Sequence, residues 1–367
     1  MHPDQEFALL VTTAVDKEAT TFLANMFADL KDASLDEQRA GIAFYLQQLH
    51  NRVQAPETWA EARKMVSLAM RGAAYTTSLS FGEGDGPVFR PVLGGSLVQV
   101  LCLDLETSIQ TVPEDSVAAW GVSVDEAWAA AAANLKTLAP RIEPAEPGTM
   151  ARIMAGQIDA ASYLLAPGWL AACKGDHDVL AWSSGREWIV VLTHDGDPDL
   201  RMLATMPHEQ WSESQHMVSP CLYTLDAHGA VVPVTVPADH PAFAELELSR
   251  KSLTLAEYDN QKRVLEHHYE VEDIDTFVPS FKLHDADDGL QSMGVWTHDV
   301  HTLLPRTDMA LPLDSDERST VVPFEALLQL MPGVRERTDL YPTRYEVDGF
   351  PTPAEMKSLS KLAVPTS

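Results

Sequence analysis

The feature that most constrains this chain is a change of hydrophobic period that begins at Phe89. Ser96-Leu97-Val98-Gln99-Val100-Leu101-Cys102-Leu103-Asp104-Leu105 is a nearly unbroken apolar run and reads as a buried strand. Residues 107–112 read as its hairpin partner. Ser123-Val124-Asp125-Glu126 follows. It is a capping box, in which the serine oxygen takes an early helix N–H and the glutamate reaches back to the cap. Behind it, Trp128 and five alanines give a helix face that permits close approach to a sheet, ending near Leu138 ahead of Pro140. Residues 150–156, 178–183 and 189–193 read as further strands around a helix over 160–172. Strands and helices in this order predict an α+β fold: antiparallel or mixed sheets with helices packed on one face.

With 367 residues the chain is long for one domain. The punctuation divides it into a mainly helical section over 1–80, a central α+β domain over 88–205 and a C-terminal α+β domain over 219–350. In the first section, capping boxes at Ser34 and Thr58 open helices to about Val53 and Met70. A glycine-dense turn at 80–87 lacks the lysine of a phosphate loop and carries Glu83 and Asp85, so it reads as a solvated linker. In the last section, the prolines of 231–237 place that stretch at a sheet edge. Thr254 caps a helix through Tyr269. Residues 277–283 and 290–297 form a hairpin around the acidic turn 285–289, residues 309–313 form another strand, and Thr352 caps a short helix.

Charge excludes some functions. Asp and Glu number 54 against 26 Lys and Arg, a formal balance of -28. Such a surface repels phosphate backbones and anionic lipid, which argues against a nucleic-acid binder or a peripheral membrane protein. No apolar stretch approaches a membrane span, and the first residues carry no basic n-region. Cys102, Cys173 and Cys221 stand far apart, with no disulfide spacing. The expected location is the cytoplasm.

Several stretches together resemble the YtpQ-like family of uncharacterised bacterial proteins. They are Arg90-Pro91-Val92 through Leu105, Val112-Pro113-Glu114-Asp115, Ala119-Trp120-Gly121-Val122, Asp125-Glu126, Ala133-Asn134-Leu135, Asp159-Ala160-Ala161-Ser162 with Leu164, Leu165 and Pro167, and the loop ending in Gly185-Arg186. The likeness covers roughly residues 15–205, and the Trp-Gly-Val motif before a capped helix is its most specific part. Residues 255–315 are similar to a companion segment of multi-domain members, through Tyr258, Gln261-Lys262, His267, Phe277-Val278, Ser280, Val295-Trp296-Thr297 and 303–308. The resemblance implies a fold and carries over no reaction, cofactor or catalytic residue.

His298, Asp299 and His301 form the best metal-like cluster, with His284 a further ligand if the hairpin brings it near. If the segment is a strand, His298 and His301 point to opposite faces, so the site requires a loop. The hairpin itself sets the turn aspartates and His284 at one end of its second strand and the histidine pair at the other. Adjacent His267 and His268 diverge on a helix. The acidic turn at 285 has Leu290 and Trp296 where a calcium loop needs Gly and Glu. Cys173 and His177 stand four apart across a helix stop, which spoils a nucleophile–base geometry. The eight tryptophans are spread over the whole chain, as core anchors are.

The expectation is therefore a non-enzymatic binding or interaction module, engaging a protein partner or a second copy of itself, with no cofactor and no nucleic-acid or membrane contact. The alternative is a metal-assisted hydrolase using the His298–His301 region.

Overall fold

The computed structural model describes residues 8–12, 18–22, 26–27, 30–50, 56–81, 86–105, 108–143, 145–156, 159–214, 216–286, 289–298, 300–313, 320–347 and 349–363, with the backbone alone for 8–12, 18–22 and 47–50. The fold is α+β, as the period change predicts. Glu83, Asp85, Asp287, Asp288 and Asp299 lie outside the described residues.

The run at 96 forms strand Leu97–Leu105 at the centre of the first sheet. Val66–Gly72 pairs antiparallel along one side. Phe89–Val92 and Ser108–Thr111 share the other. Side chains alternate across a strand, so this one feeds two cores. Leu97, Leu101, Leu103 and Leu105 join the largest cluster, while Val98, Val100 and Cys102 pack on the opposite face with Ala69 and Ala73. The alanine-rich helix Val124–Leu138 covers the first face. Ser123 caps it by accepting the Glu126 N–H, and Ala127, Trp128, Ala131 and Leu135 are its buried stripe.

The second sheet is wholly antiparallel, in the order Val231–Pro233, Tyr223–Leu225, Asp178–Trp182, Trp188–His194, Met150–Met154. The proline-flanked strand stands at its edge, as expected. One face, with Val179, Ala181, Ile189 and Val191, joins the core of the first sheet. The other, with Leu180, Trp182, Val190 and Leu192, packs Leu203 and Ala204 of helix Leu200–Glu213. A single apolar core thus runs from Ala62 to Leu253 across both sheets.

The C-terminal part holds two sheets. Lys282–Ala286 and Gly289–Thr297 form a hairpin, with Lys282 opposite Met293; its first strand starts five residues later than the expected 277–283 and includes Asp285 and Ala286 of the expected turn. Met309–Leu313 then joins Gly289–Thr297 in parallel, which makes the sheet mixed. Thr302–Pro305, Arg344–Val347 and Arg335–Arg337 make the other.

Three sequence expectations fail for identifiable reasons. The helix expected from Thr58 to Met70 stops at Ala62, and Val66–Gly72 is a strand. Cross-strand pairing to Leu97–Leu105 outweighs local helix preference here. The Asn134 side-chain amide secures the switch by donating to the carbonyls of Arg63 and Val66. The helix expected over 160–172 is a 3-10 turn, Ala160–Leu165, and a separate helix, Trp169–Lys174. Pro167 disfavours helical backbone at Ala166, and Gly168 takes a φ of 72°. Thr254 does not open a helix but lies inside Phe243–Val271. Its hydroxyl bonds back to the Arg250 carbonyl and meets Ser96 Oγ. At 29 residues this helix is roughly 43 Å long.

That long helix carries a buried polar junction. Arg344 is fully buried. Its Nε donates to Gln261 Oε1 at 2.7 Å, Nη1 to the carbonyls of Leu303 and Pro279, and Nη2 to the carbonyl of Tyr258. Gln261 in turn donates to the Pro342 carbonyl and to Thr77 Oγ1. Thr76 and Thr77 both donate to the Tyr341 carbonyl, and the Tyr341 hydroxyl donates to the Gly95 carbonyl. Strand Arg344–Val347 is thereby tied to the first sheet through one turn of the long helix. Burial lowers the Arg344 guanidinium to about 10, which still leaves it charged at neutral pH. Arg344→Ala strands several buried acceptors, so urea unfolding should show a loss of about 3–5 kcal/mol. A loss under about 1 kcal/mol would show that the junction does not hold the sheets together.

Candidate functional site

His284, His298 and His301 are not gathered into one ligand group, and Asp299 lies outside the described residues. His298 follows strand Gly289–Thr297 and packs its ring on Phe350, centroids 5.1 Å apart. His301 has both ring nitrogens engaged, Nδ1 with Thr276 Oγ1 at 2.9 Å and Nε2 with Glu346 Oε1 at 3.0 Å. Arg335 and Arg337 also reach Glu346. His284 pairs with Gln291 across the hairpin, about seven residues and hence roughly 23 Å from His298. Among the described residues no three His, Cys, Asp or Glu side chains converge as metal ligands.

The other patterns resolve in the same way. The His268 ring stacks on Phe81 at 4.0 Å. His177 turns Nδ1 to Asp195 at 2.9 Å rather than to Cys173. Burial pushes the thiols of Cys173 and Cys221 up to about 11 and that of Cys102 to about 12. The motif residues around Trp120 are structural. Its indole packs on Trp59 and donates to the Pro56 carbonyl, while Arg90 lies over Trp128 and pairs with Asp125. Trp120 itself is half-buried, a cover over Trp59 rather than a central anchor. A cavity bordered by Cys221, Val234, Phe243 and Arg250 measures about 40 Å³, room for a water molecule and far below a metabolite site.

One cluster stands apart, where the first two sheets meet. Arg71 lies at the end of strand Val66–Gly72, Asp159 just ahead of the 3-10 turn, and Arg186 in the bend between Asp178–Trp182 and Trp188–His194. Two backbone ties assemble them. Ala160 N donates to the Arg186 carbonyl at 2.8 Å, and Met70 N donates to Ser162 Oγ at 3.0 Å. Arg71 Nη1 reaches Asp159 Oδ2 at 2.5 Å, and its guanidinium lies 5.8 Å from the centre of the Tyr75 ring. Arg186 is partly buried, and among the described residues nothing hydrogen-bonds or ion-pairs with its guanidinium. Burial lowers its pKa first, and the charge of Arg71 lowers it further against the pull of Asp159. Neighbouring Glu187 turns away to His216 Nδ1 at 2.8 Å. The cluster therefore holds two guanidinia and one close carboxylate.

Behind it sits Glu257 of the long helix, a buried residue whose carboxylate accepts the Ala74 N–H at 2.8 Å. It rests on the backbone of Gly72, where any Cβ would collide with it. Burial raises this carboxyl to about 7 against that one hydrogen bond.

Sequence reasoning did not assemble this site, because Arg71 and Asp159 lie 88 positions apart. Yet Asp159-Ala160-Ala161-Ser162 and Gly185-Arg186, two segments singled out in the sequence, meet here through the Ala160 N–H and the Arg186 carbonyl. Comparison with protein-family models, curated proteins and solved structures finds no match to this chain.

Two outcomes follow from the buried groups. A colourless aromatic disulfide reagent should label none of the three thiols in the native protein within minutes and all three in urea, since only the thiolate reacts. Rapid native labelling of Cys173 would revive a role for it. For Glu257 the native pKa is raised above its ordinary 4.5, so native protein holds a proton that unfolded protein has lost. Its share of stability declines as pH rises from 4.5 to about 7 and is level above that. Glu257→Gln should abolish this decline and, near pH 8, unfold at higher urea, a gain of at most roughly 3 kcal/mol. A variant less stable than the parent at that pH would contradict the buried-acid assignment.

Proposed function

We propose that this chain is a non-enzymatic binding module of the cytoplasm that recognises an anionic group, carboxylate or phosphate in type, between Arg71 and Arg186. The observation that carries the reading is the Arg186 guanidinium, partly buried near a second guanidinium and without a hydrogen-bond or ion-pair partner among the described residues. Desolvating a guanidinium next to a like charge is unfavourable, and an oxyanion offsets both costs. The planar fork of arginine suits two oxygens of one group. In a chain of net charge -28, such a local excess of positive charge marks where a small anion can approach.

The same net charge speaks against nucleic acid as the ligand, because a polyanion would meet the acidic surface around the site. Among the described residues no helix is long and apolar enough to cross a membrane. Three free, buried cysteines suit a reducing compartment. The metal-assisted alternative draws no support from His301, whose nitrogens are engaged.

The test is titration with sulfate by calorimetry. The parent protein should bind one sulfate, and Arg186→Gln and Arg71→Gln should each weaken binding by at least about tenfold, the loss of a charge-assisted bond. Arg186→Gln should melt no lower than the parent without ligand, because it removes a desolvated charge that has no partner. Undiminished sulfate binding by both variants would overturn the reading.

A further inference from the structure

We propose that the ligand of the Arg71–Arg186 site is an α-amino acid, its carboxylate held by the two guanidinia and its ammonium by Asp159; this rests on the anion-binding reading above. The Asp159 carboxylate uses only one of its oxygens. Oδ2 accepts from Arg71 Nη1 at 2.5 Å. Oδ1 has no hydrogen-bond partner among the described residues, and the side chain does not cap the 3-10 turn that follows it. Arg71 is half-used in the same way. Its Nη1 donates to Asp159 and to the Met70 carbonyl, while Nε and Nη2 meet no acceptor among the described residues. The two side chains are mostly buried, 12% and 20% exposed. An unused donor or acceptor is costlier there than on an open surface. The cluster thus offers two kinds of open position, N–H groups for an anion and a carboxylate oxygen for a cation.

A simple anion set between the guanidinia would lie close to Asp159, because that carboxylate touches Arg71. Like charges oppose each other, and partial burial screens them less than water would. A ligand with an ammonium beside its carboxylate turns this opposition into a further contact. The separation required is short. Ala160 N donates to the Arg186 carbonyl at 2.8 Å, so the backbone segments that carry Asp159 and Arg186 touch. The charge of Asp159 also bears on the Arg186 guanidinium. In an α-amino acid one carbon separates the two charged groups, which suits so compact a cluster. The neighbouring groups are committed elsewhere. Glu187 is bonded to His216, which leaves Asp159 as the carboxylate for the ammonium. The Tyr75 hydroxyl is bonded to Thr111 Oγ1, and its ring lies against the Arg71 guanidinium and helps to set its orientation. Phosphate and plain carboxylates bring no cation for Asp159 Oδ1.

L-Alanine and propionate are the probes, since they differ by the ammonium alone. Calorimetric titration of the intact protein should show L-alanine binding at least about tenfold tighter than propionate, the worth of one charge-assisted bond. Asp159→Asn keeps an oxygen for Arg71 and removes the charge that the ammonium needs. This variant should bind L-alanine and propionate about equally, and should bind sulfate no more weakly than the parent, because the opposing charge is gone. Arg186→Gln should weaken the binding of all three. L-Alanine bound no tighter than propionate by the parent, or a preference for L-alanine that persists in Asp159→Asn, would overturn the amino-acid assignment, and sulfate binding by the parent would leave the anion site standing. Failure of the parent to bind sulfate would overturn the anion site, and the amino-acid assignment with it.

Discussion

A buried guanidinium that ion-pairs with no carboxylate among the described residues is an expensive thing to fold around, and Arg344 is one. Its charge is met by Gln261 Oε1 and by the carbonyls of Tyr258, Pro279 and Leu303. Those acceptors belong to the long helix, to strand Thr302–Pro305 and to the segment ahead of Lys282–Ala286, so the arginine is satisfied only when all are in place. The requirement is cooperative, because a half-satisfied buried network is worse than an apolar one. Through Gln261, Thr77 and the Tyr341 carbonyl the same network reaches the helix Ala74–Ser80, which follows the strand bearing Arg71. The geometry of the candidate site is therefore held from the C-terminal sheet.

The two buried charged residues on this junction have different parts. Arg344 has every guanidinium nitrogen hydrogen-bonded and stays charged at neutral pH. Glu257, one turn before Gln261, has a single backbone donor and sits where burial competes evenly with ionisation. A group in the first condition fixes structure. A group in the second responds to its surroundings, here burial opposed by the Ala74 N–H. The contrast with the three thiols is instructive, since their burial carries them away from neutral titration and leaves them as packing.

What could be read from the sequence depended on how local the physics was. Leu97–Leu105 and the helix after Ser123 were legible because apolar period and capping chemistry act over a few residues. So were the edge strand at Val231 and the hairpin around residue 287. Val66–Gly72 was not, because its strand character comes from a partner some thirty residues away in sequence. Thr254 mimics a cap, and only the packing of 243–253 on neighbouring elements shows that the helix runs through it. The His298–His301 pattern looked like a ligand set in one dimension, while in space His301 belongs to Glu346 and Thr276. The arginine cluster was invisible for the complementary reason. Its members are ordinary singly, and only the meeting of two sheets makes them unusual.

The central claim is that Arg71 and Arg186 share one oxyanion. Anomalous diffraction from crystals of the intact protein soaked in selenate, an isostere of sulfate, locates such an ion directly. The account predicts one selenium peak within hydrogen-bonding reach of both guanidinia, about 3 Å from the nearest nitrogens. Selenate absent there while occupying other sites, or Arg186 found paired with a carboxylate of its own chain, would contradict it.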